Sequence, residues 1–124
     1  MHPVSTNHAP EPAGHYSQAI KHLGLVFVSG QLPLDPQTRQ MVAGGIEEQT
    51  RQTIENVRQI LLASGSGLDG VLKSTIFITS EDYWPVVNRI YGEYFGNHKP
   101  ARAIIPCGPL HNGALLEMEV IAHS

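Results

Sequence analysis

Hydrophobic periodicity along the chain predicts two amphipathic helices. Between Ile46 and Ser64, apolar or small residues recur at helical spacing on one face, and charged or amide side chains occupy the other. A second helix is predicted from about Thr79 to Phe95, with Thr79 as its candidate N-cap and Pro85 in the first turn, where proline is tolerated. Gly65 stands where a left-handed residue commonly ends a helix, and so marks the end of the first one.

Short runs of β-branched and aromatic residues predict four strands. These runs lie at Leu23–Ser29, Val71–Thr79, Arg102–Pro106 and Leu115–Ala122. The second half of the Val71–Thr79 run is almost wholly β-branched or aromatic, so this strand is expected to be buried on both faces. Residues 1–14 contain three prolines and no periodicity, which predicts an irregular N-terminal arm.

The order of these elements predicts one α+β domain covering residues 1–124. A sequence of strand, helix, strand, helix and strands favours both helices on one face of a mixed sheet. The opposite face then needs a cover, and in a chain of 124 residues we expect other copies of the chain to provide it. Charged residues make up 15% of the chain, below the ~25% of typical soluble domains, and this also favours self-association.

Charge and composition narrow the classes of partner. The net charge is −3 and no run of lysines and arginines occurs, so a nucleic-acid partner is not expected. The single cysteine excludes an internal disulfide and favours a reducing compartment. The N-terminus lacks the apolar segment of a signal peptide, and no run approaches the ~18 apolar residues of a membrane span. We therefore expect a soluble, cytoplasmic protein with no membrane partner.

Arg102 is the most conspicuous candidate for chemistry, because a basic residue stands there at the start of an apolar strand. A guanidinium in apolar surroundings needs a partner. Two interpretations stay open: a bidentate grip on a substrate carboxylate, or a structural salt bridge to Glu117, Glu119 or another acid.

The acids Glu117 and Glu119 lie two residues apart on one predicted strand and therefore point to the same face. They form either a solvated polar stripe or a site in which one carboxylate activates a water. Cys107 is interpreted as a small residue at a strand end, with a nucleophile as the alternative. The seven histidines show no metal-ligand spacing, so no metal site is predicted.

Several segments, in the same order from about residue 9 to 122, resemble those of one known family. They include GHYSQA at 14–19, FVSGQLPLDP at 27–36, KSTIF at 73–77, KPAR at 99–102 and GALLEMEVIA at 113–122. On these segments the sequence resembles the RidA (YjgF) family of imine and enamine deaminases, also known as L-PSP endoribonuclease-like proteins. The resemblance implies a chorismate-mutase-like domain and a homotrimer with a central barrel. It also implies active-site clefts between adjacent subunits.

The resemblance further implies a reaction and a set of site residues. Family deaminases hydrolyse 2-imino and enamine acids, such as 2-aminoacrylate and 2-iminopropanoate, to the 2-keto acid and ammonia without a cofactor. By position, Arg102 matches the arginine that grips the substrate carboxylate, and Glu117 matches the acid that positions water. The matching substrate-binding positions are Tyr16, Ser29, Gly30, Asn88, Ile104 and Cys107.

Three departures leave the particular substrate open. His15 stands where many members have proline. Ala103 and Ile104 replace residues that often carry a hydroxyl or thiol, while Cys107-Gly108 resembles the RutC-like members of pyrimidine catabolism. Two other functions remain as alternatives. One is a non-catalytic module that binds a small carboxylate in the same cleft. The other is an endoribonuclease, which the charge of −3 and the lack of a basic patch disfavour.

Overall fold

A computed structural model describes residues 1–124 and contains two α-helices and six strands. The helices are α1 (Ile46–Ala63) and α2 (Trp84–Phe95). The strands are β1 (His2–Val4), β2 (Ala19–His22), β3 (Leu25–Gln31), β4 (Val71–Ile78), β5 (Ala101–Pro106) and β6 (Leu116–His123). Short 3-10 turns occupy Leu68–Gly70, Glu81–Tyr83 and His111–Gly113.

All six strands form one sheet in the order β1-β2-β3-β6-β4-β5. The β4–β5 pair is parallel and every other neighbouring pair is antiparallel, so the sheet is mixed. The parallel pair is joined by α2, as a crossover between parallel strands requires. The predicted α+β architecture, with two helices on one face of a mixed sheet, is confirmed.

The hydrophobic core lies between the helices and the inner face of the sheet. The apolar stripe of α1 contributes Ile54, Val57, Ile60 and Leu61, each almost fully buried. Alternate residues of β6 lie opposite this stripe because a strand points every second side chain to the same face; they are Leu116, Met118, Val120 and Ala122. Glu48 accepts a hydrogen bond from the Gly45 backbone N–H at 3.1 Å, which helps to start α1.

The outer face of the sheet carries no helix. Along β4, Ser74, Ile76 and Ile78 are buried beneath the helices, whereas Thr75 and Phe77 on the other face are half-buried. The expectation that this strand is buried on both faces is therefore wrong for a single chain. β-Branched and aromatic side chains point to both faces of β4, but the helices of the same chain cover only the inner face.

The N-terminal arm is more ordered than predicted. Residues His2–Val4 pair with β2 as an edge strand, which corrects the expectation of an irregular segment over 1–14. The buried Gln18 side chain anchors the arm because it accepts from the Thr6 backbone N–H at 2.7 Å and donates to the Pro10 carbonyl at 2.9 Å. Such long-range contacts leave no periodic signal in the sequence.

The prediction that Thr79 caps the second helix is wrong. Ser80, not Thr79, accepts the capping hydrogen bond, from the Asp82 backbone N–H at 3.2 Å. It caps the 3-10 turn that leads into α2. Neither helix combines the length and the apolar character needed to cross a bilayer.

The β2–β3 hairpin turns through Leu23 and Gly24, and this turn offers a test of stability. Both residues have positive φ, 51° and 78°, and Leu23 is 87% exposed. A branched side chain is disfavoured in this region, while asparagine adopts it readily. We expect Leu23→Asn to stabilise the fold by about 1 kcal/mol, raising the thermal midpoint by roughly 3–5 °C. Leu62→Asn, at an exposed position inside α1, is the matched control and should lower the midpoint.

Candidate active site

Two open cavities hold most of the predicted site residues, and the first surrounds Arg102. This arginine cavity has a volume of about 490 Å³ and lies between α2, β5 and the segment that joins them. Its wall contains basic side chains and no carboxylate. It is lined by Asn88, Tyr91, Gly92, Phe95, Gly96, His98, Lys99, Pro100 and Arg102.

The Arg102 guanidinium lies over two aromatic rings of α2. Its central carbon is 4.8 Å from the centre of the Tyr91 ring and 5.8 Å from that of Trp84. It takes part in none of the ion pairs of the chain. The salt bridge to Glu117 or Glu119 is therefore not formed within one chain. The aromatic faces stabilise the positive charge of Arg102 without using its N–H donors. These donors therefore remain available for hydrogen bonds to an anion.

Tyr91 is fixed in position by the core. Its hydroxyl and the Ser74 hydroxyl are 2.8 Å apart and hydrogen-bonded, and its ring stacks on Phe95 at 4.1 Å between centres. Burial raises the pKa of the Tyr91 hydroxyl, against the lowering effects of Ser74 and of the Arg102 charge. The surface beneath the guanidinium is thus rigid and neutral.

The second cavity surrounds Glu117. This glutamate cavity has a volume of about 460 Å³. Strand β6 supplies Glu117, and an irregularity in the β3–β6 register between Val28 and Gln31 supplies Ser29 and Gly30. Its lining residues are Ala13, Gly14, Tyr16, Ser29, Gly30, Leu32, His111 and Glu117.

Gly30 leaves the space that the Glu117 side chain occupies. A Cβ at position 30 would lie 2.9 Å from Glu117 Oε2, closer than ordinary contact allows. Burial raises the pKa of the Glu117 carboxyl, the negative charge of Glu119 raises it further, and His111 acts in the opposite direction. A carboxyl with a raised pKa is a stronger base than an ordinary glutamate once it is ionised.

The two cavities open on opposite faces of the sheet. Arg102 pairs in register with Ser74, whose side chain points to α2. Glu117 pairs with Phe77, three residues further along β4 and therefore on the outer face. Within one chain, Arg102 and Glu117 cannot contact the same small molecule.

Tyr16 and Ser29 lie together in the glutamate cavity. The Ser29 hydroxyl donates to the Ser17 carbonyl at 2.6 Å, so toward a ligand this oxygen can act as an acceptor. The Tyr16 side chain is half exposed, and its hydroxyl oxygen accepts from the Ala13 backbone N–H at 3.3 Å. The Ser29 contact joins β3 to the segment before β2, while the Tyr16 contact is local to that segment.

The remaining predicted residues lie elsewhere. Asn88 borders the arginine cavity. Ile104 packs against the edge of the core and borders neither cavity. Cys107 borders a third cavity of about 310 Å³ with Thr79 and Leu110, and its backbone N–H donates to the Ile78 carbonyl at 2.8 Å.

Sequence reasoning missed His111, Trp84 and Tyr91. Tyr91 packs in the core, as an aromatic residue on the apolar side of a helix is expected to, but its ring also lies beneath Arg102. His111 lies in a loop without any motif, and nothing in the local sequence connects it to Glu117. No three His, Cys, Asp or Glu side chains in the chain converge on a point where a metal ion could bind.

The protein is an α+β domain with an unpaired arginine in one cavity and a half-buried glutamate in another. Comparisons with known proteins identify its family. The family model described as "Endoribonuclease L-PSP" matches residues 6–124. A RutC family protein of Pyrococcus horikoshii is 42% identical over 120 residues, covering 97% of this chain and 95% of its own. A mouse protein named 2-iminobutanoate/2-iminopropanoate deaminase is 38% identical over 119 residues, covering 96% and 88%.

Solved structures agree with this result. The crystal structure of a Thermotoga maritima protein, named as a candidate endoribonuclease, has a TM-score of 0.97 and 44% identity. The match covers 100% of this chain and 98% of that one. The chain belongs to the L-PSP endoribonuclease-like family, the RidA/YjgF family that its sequence resembles. The family includes an imine deaminase among its named members.

Proposed function

We propose that this protein is a hydrolytic deaminase of 2-imino acids and their enamine tautomers, which acts without a cofactor and releases a 2-keto acid and ammonia. The observation that carries the proposal is the Arg102 guanidinium, held on two aromatic rings with no carboxylate of its own chain. The mouse relative that bears the name of such a deaminase supports the same reaction class.

Arg102 binds the substrate carboxylate. A 2-imino acid is planar around its imine carbon and carries a carboxylate next to it, which a guanidinium can grip through two parallel hydrogen bonds. Because Tyr91 is held by Ser74 and by Phe95, the platform under Arg102 does not need to reorganise on binding. A fixed carboxylate sets the position of the imine carbon for attack.

Glu117 activates the attacking water. The ionised carboxylate takes a proton from water as the water oxygen bonds to the carbon of the protonated imine, and the C=N π electrons move to nitrogen, giving a neutral carbinolamine. Glu117 then gives that proton to the nitrogen. The C–N bond breaks as the hydroxyl oxygen forms the carbonyl, and the departing ammonia takes up the hydroxyl proton. The raised pKa of Glu117 suits a group that must both accept and return a proton.

The complete site forms between two subunits of a homotrimer. Arg102 and Glu117 face opposite sides of the sheet in one chain, so a substrate that contacts both must lie between two chains. The outer face offers an apolar surface for assembly, with Phe27 43% exposed and Ile105 40% exposed. Phe77 and Ile121, which are half-buried, lie on the same face.

Ammonia release tests the proposal directly. 2-Aminoacrylate and related imino acids are generated in situ by a dehydratase or an amino-acid oxidase, and ammonia and keto acid are followed with and without the protein. We expect the protein to accelerate both products in equal amounts. If several imines show no acceleration but a 2-keto acid or other small carboxylate binds in a calorimeter, the protein is a binding module and not an enzyme.

Gly30 provides a test of the Glu117 position. We expect Gly30→Ala to push the Glu117 carboxylate away from its place in the cavity, because the new methyl would lie 2.9 Å from Oε2. A misplacement of this size should lower kcat/KM by roughly tenfold to a hundredfold. The thermal midpoint should change little, since the flexible side chain can move. Gly45→Ala, whose new methyl would meet no atom within 4 Å, is the control and should keep full activity. Full activity in the Gly30 variant would contradict the role given to Glu117.

A further inference from the structure

The arginine cavity has more room than a small imino acid fills. Its volume is about 490 Å³, whereas a molecule of liquid water takes up about 30 Å³. Part of its wall is glycine backbone at the end of α2, and a Cβ at Gly92 or Gly96 would meet no atom within 4 Å. A substrate whose side chain extends beyond a methyl or ethyl group therefore has space in the same cavity as Arg102.

The cavity also contains two cations that lack a counter-charge in the chain. Arg102 and Lys99 both line it, and neither takes part in any ion pair of the chain. Glu93, the single acid of α2, pairs with Arg51 and Arg89 instead. The cavity is therefore suited to a ligand that carries two negative charges.

His98, the third basic side chain of the wall, already has a partner. Its Nε2 lies 2.7 Å from the Val71 carbonyl oxygen, and since a carbonyl only accepts hydrogen bonds, this nitrogen donates to it. The centres of the His98 and Phe95 rings are 6.4 Å apart. His98 is thus held by the backbone and shapes the wall, while Arg102 and Lys99 keep all their donors for a ligand.

We propose that the arginine cavity selects imino acids with a second carboxylate: Arg102 binds the carboxylate next to the imine carbon, and Lys99 binds the carboxylate at the end of the substrate side chain. The substrate class is the 2-imino dicarboxylates, which are the imines of acidic amino acids. The inference deepens the proposed function and rests on it for turnover. It makes Lys99 a residue that determines specificity.

The two cations are close enough to hold one small molecule. Lys99 precedes Arg102 by three residues, which span at most about 10 Å of extended chain, and both side chains line the same cavity. The planar guanidinium suits the carboxylate whose orientation places the imine carbon. The flexible ammonium can follow a carboxylate at the end of a longer side chain, because its donors are not bound to one plane.

Glu117 of the partner subunit favours a separate place for the second carboxylate. In the proposed site this glutamate meets the imine carbon beside Arg102, where its negative charge disfavours a further anion. Lys99 offsets the second charge of the substrate at another point of the cavity. Because Lys99 is exposed, its attraction for the carboxylate should weaken as salt is added.

Two substrates of equal chain length test this inference. Amino-acid oxidases generate the imines of glutamate and of norvaline, which has the same carbon chain without the second carboxylate, and kcat/KM for ammonia release is measured for both. Calorimetry with the matching keto acids, 2-oxoglutarate and 2-oxopentanoate, measures binding without turnover. The variants are Lys99→Gln, Lys99→Glu and, as a matched control, Lys21→Gln, since Lys21 borders neither the arginine cavity nor the glutamate cavity.

We expect the wild type to prefer the dicarboxylate about tenfold in both measurements, which corresponds to one charge-assisted hydrogen bond. Lys99→Gln should remove the preference, Lys99→Glu should reverse it, and Lys21→Gln should retain it. Gly92→Leu fills the room beside α2, so it should weaken binding of both keto acids. The same change should raise the thermal midpoint, because glycine is unfavourable inside a helix.

The outcomes separate this inference from the proposed function. Equal kcat/KM and equal affinity for the two compounds in the wild type overturn the inference even if the protein is an active deaminase. If Lys99→Gln leaves the preference unchanged but dissociates the assembly, Lys99 pairs with an acid of a neighbouring chain, and the inference is also overturned. If neither imine is hydrolysed, the proposed function fails, but 2-oxoglutarate binding that requires Lys99 still establishes the dicarboxylate site.

Discussion

Replacing Arg102 by alanine is expected to abolish measurable deamination of imino acids while the protein stays folded. Two charge-assisted hydrogen bonds to a carboxylate, at about 1.5–3 kcal/mol each, correspond to a loss of roughly 10²–10⁴-fold in kcat/KM. The fold should tolerate the change because the guanidinium forms no ion pair and lies on the Tyr91 and Trp84 rings. Losing these aromatic contacts costs about 1 kcal/mol, a few degrees in the thermal midpoint.

Three comparisons separate carboxylate binding from other causes of lost activity. Arg102→Lys keeps the charge but loses the planar fork, so it should recover a small part of the activity. Arg89→Ala removes an exposed arginine of α2 that pairs with Glu93 and should leave kcat/KM unchanged. An imine that lacks the carboxylate should be hydrolysed equally by wild type and Arg102→Ala. If Arg102→Ala instead unfolds the protein, Arg102 is a structural residue with an acid partner in a neighbouring subunit.

The helices could be predicted from the sequence because their signal is local and repeated. The α1 stripe places Ile54, Val57 and Leu61 on one face, and the predicted end differs from the observed end by one residue. For α2, the predicted position of Pro85 in the first turn is confirmed, and the helix ends at Phe95 as predicted, before Gly96 with its positive φ of 60°. A hydrophobic periodicity that extends over 12 to 18 residues identifies a helix without any knowledge of its tertiary contacts.

The strands β1 and β2 could not be predicted, because they are short and their pairing is not local. β2 has four residues and β1 three, too few to show alternation. The turn between β2 and β3 uses Leu23-Gly24, where the usual hairpin signal would be Asn-Gly. The predicted strand therefore begins at Leu23, two residues before β3.

In the candidate site, too, features set by neighbouring residues could be predicted, and features set by the pairing of distant strands could not. That Glu117 and Glu119 share a face follows from strand alternation alone, and the structure confirms it. Which face Glu117 takes relative to Arg102 depends on the registers of β6 with β4 and of β4 with β5, which no local pattern encodes. The nearness of His111 to Glu117 depends in addition on a loop held by Gln49 from α1.

Mixing two inactive variants should restore activity if the site lies between subunits. Arg102→Ala keeps Glu117, and Glu117→Gln keeps Arg102, so in the proposed homotrimer each variant alone lacks one half of every site. When both are co-expressed with different affinity tags and purified on both tags, every mixed trimer contains one interface with both side chains intact. We expect about one third of the wild-type activity per trimer, since one of three equivalent sites is complete.

The recovered fraction also reports how the chains assemble. A mixed dimer with two equivalent interfaces would recover about one half of the activity, and sedimentation of the same sample gives the subunit number independently. Two differently tagged copies of Arg102→Ala, purified in the same way, should remain inactive. No recovery in mixed trimers would place Arg102 and Glu117 in separate roles. That result would contradict the proposed site. Arg102 and Glu117 lie on opposite faces of the sheet in one chain, so they can act on the same substrate only if each comes from a different chain.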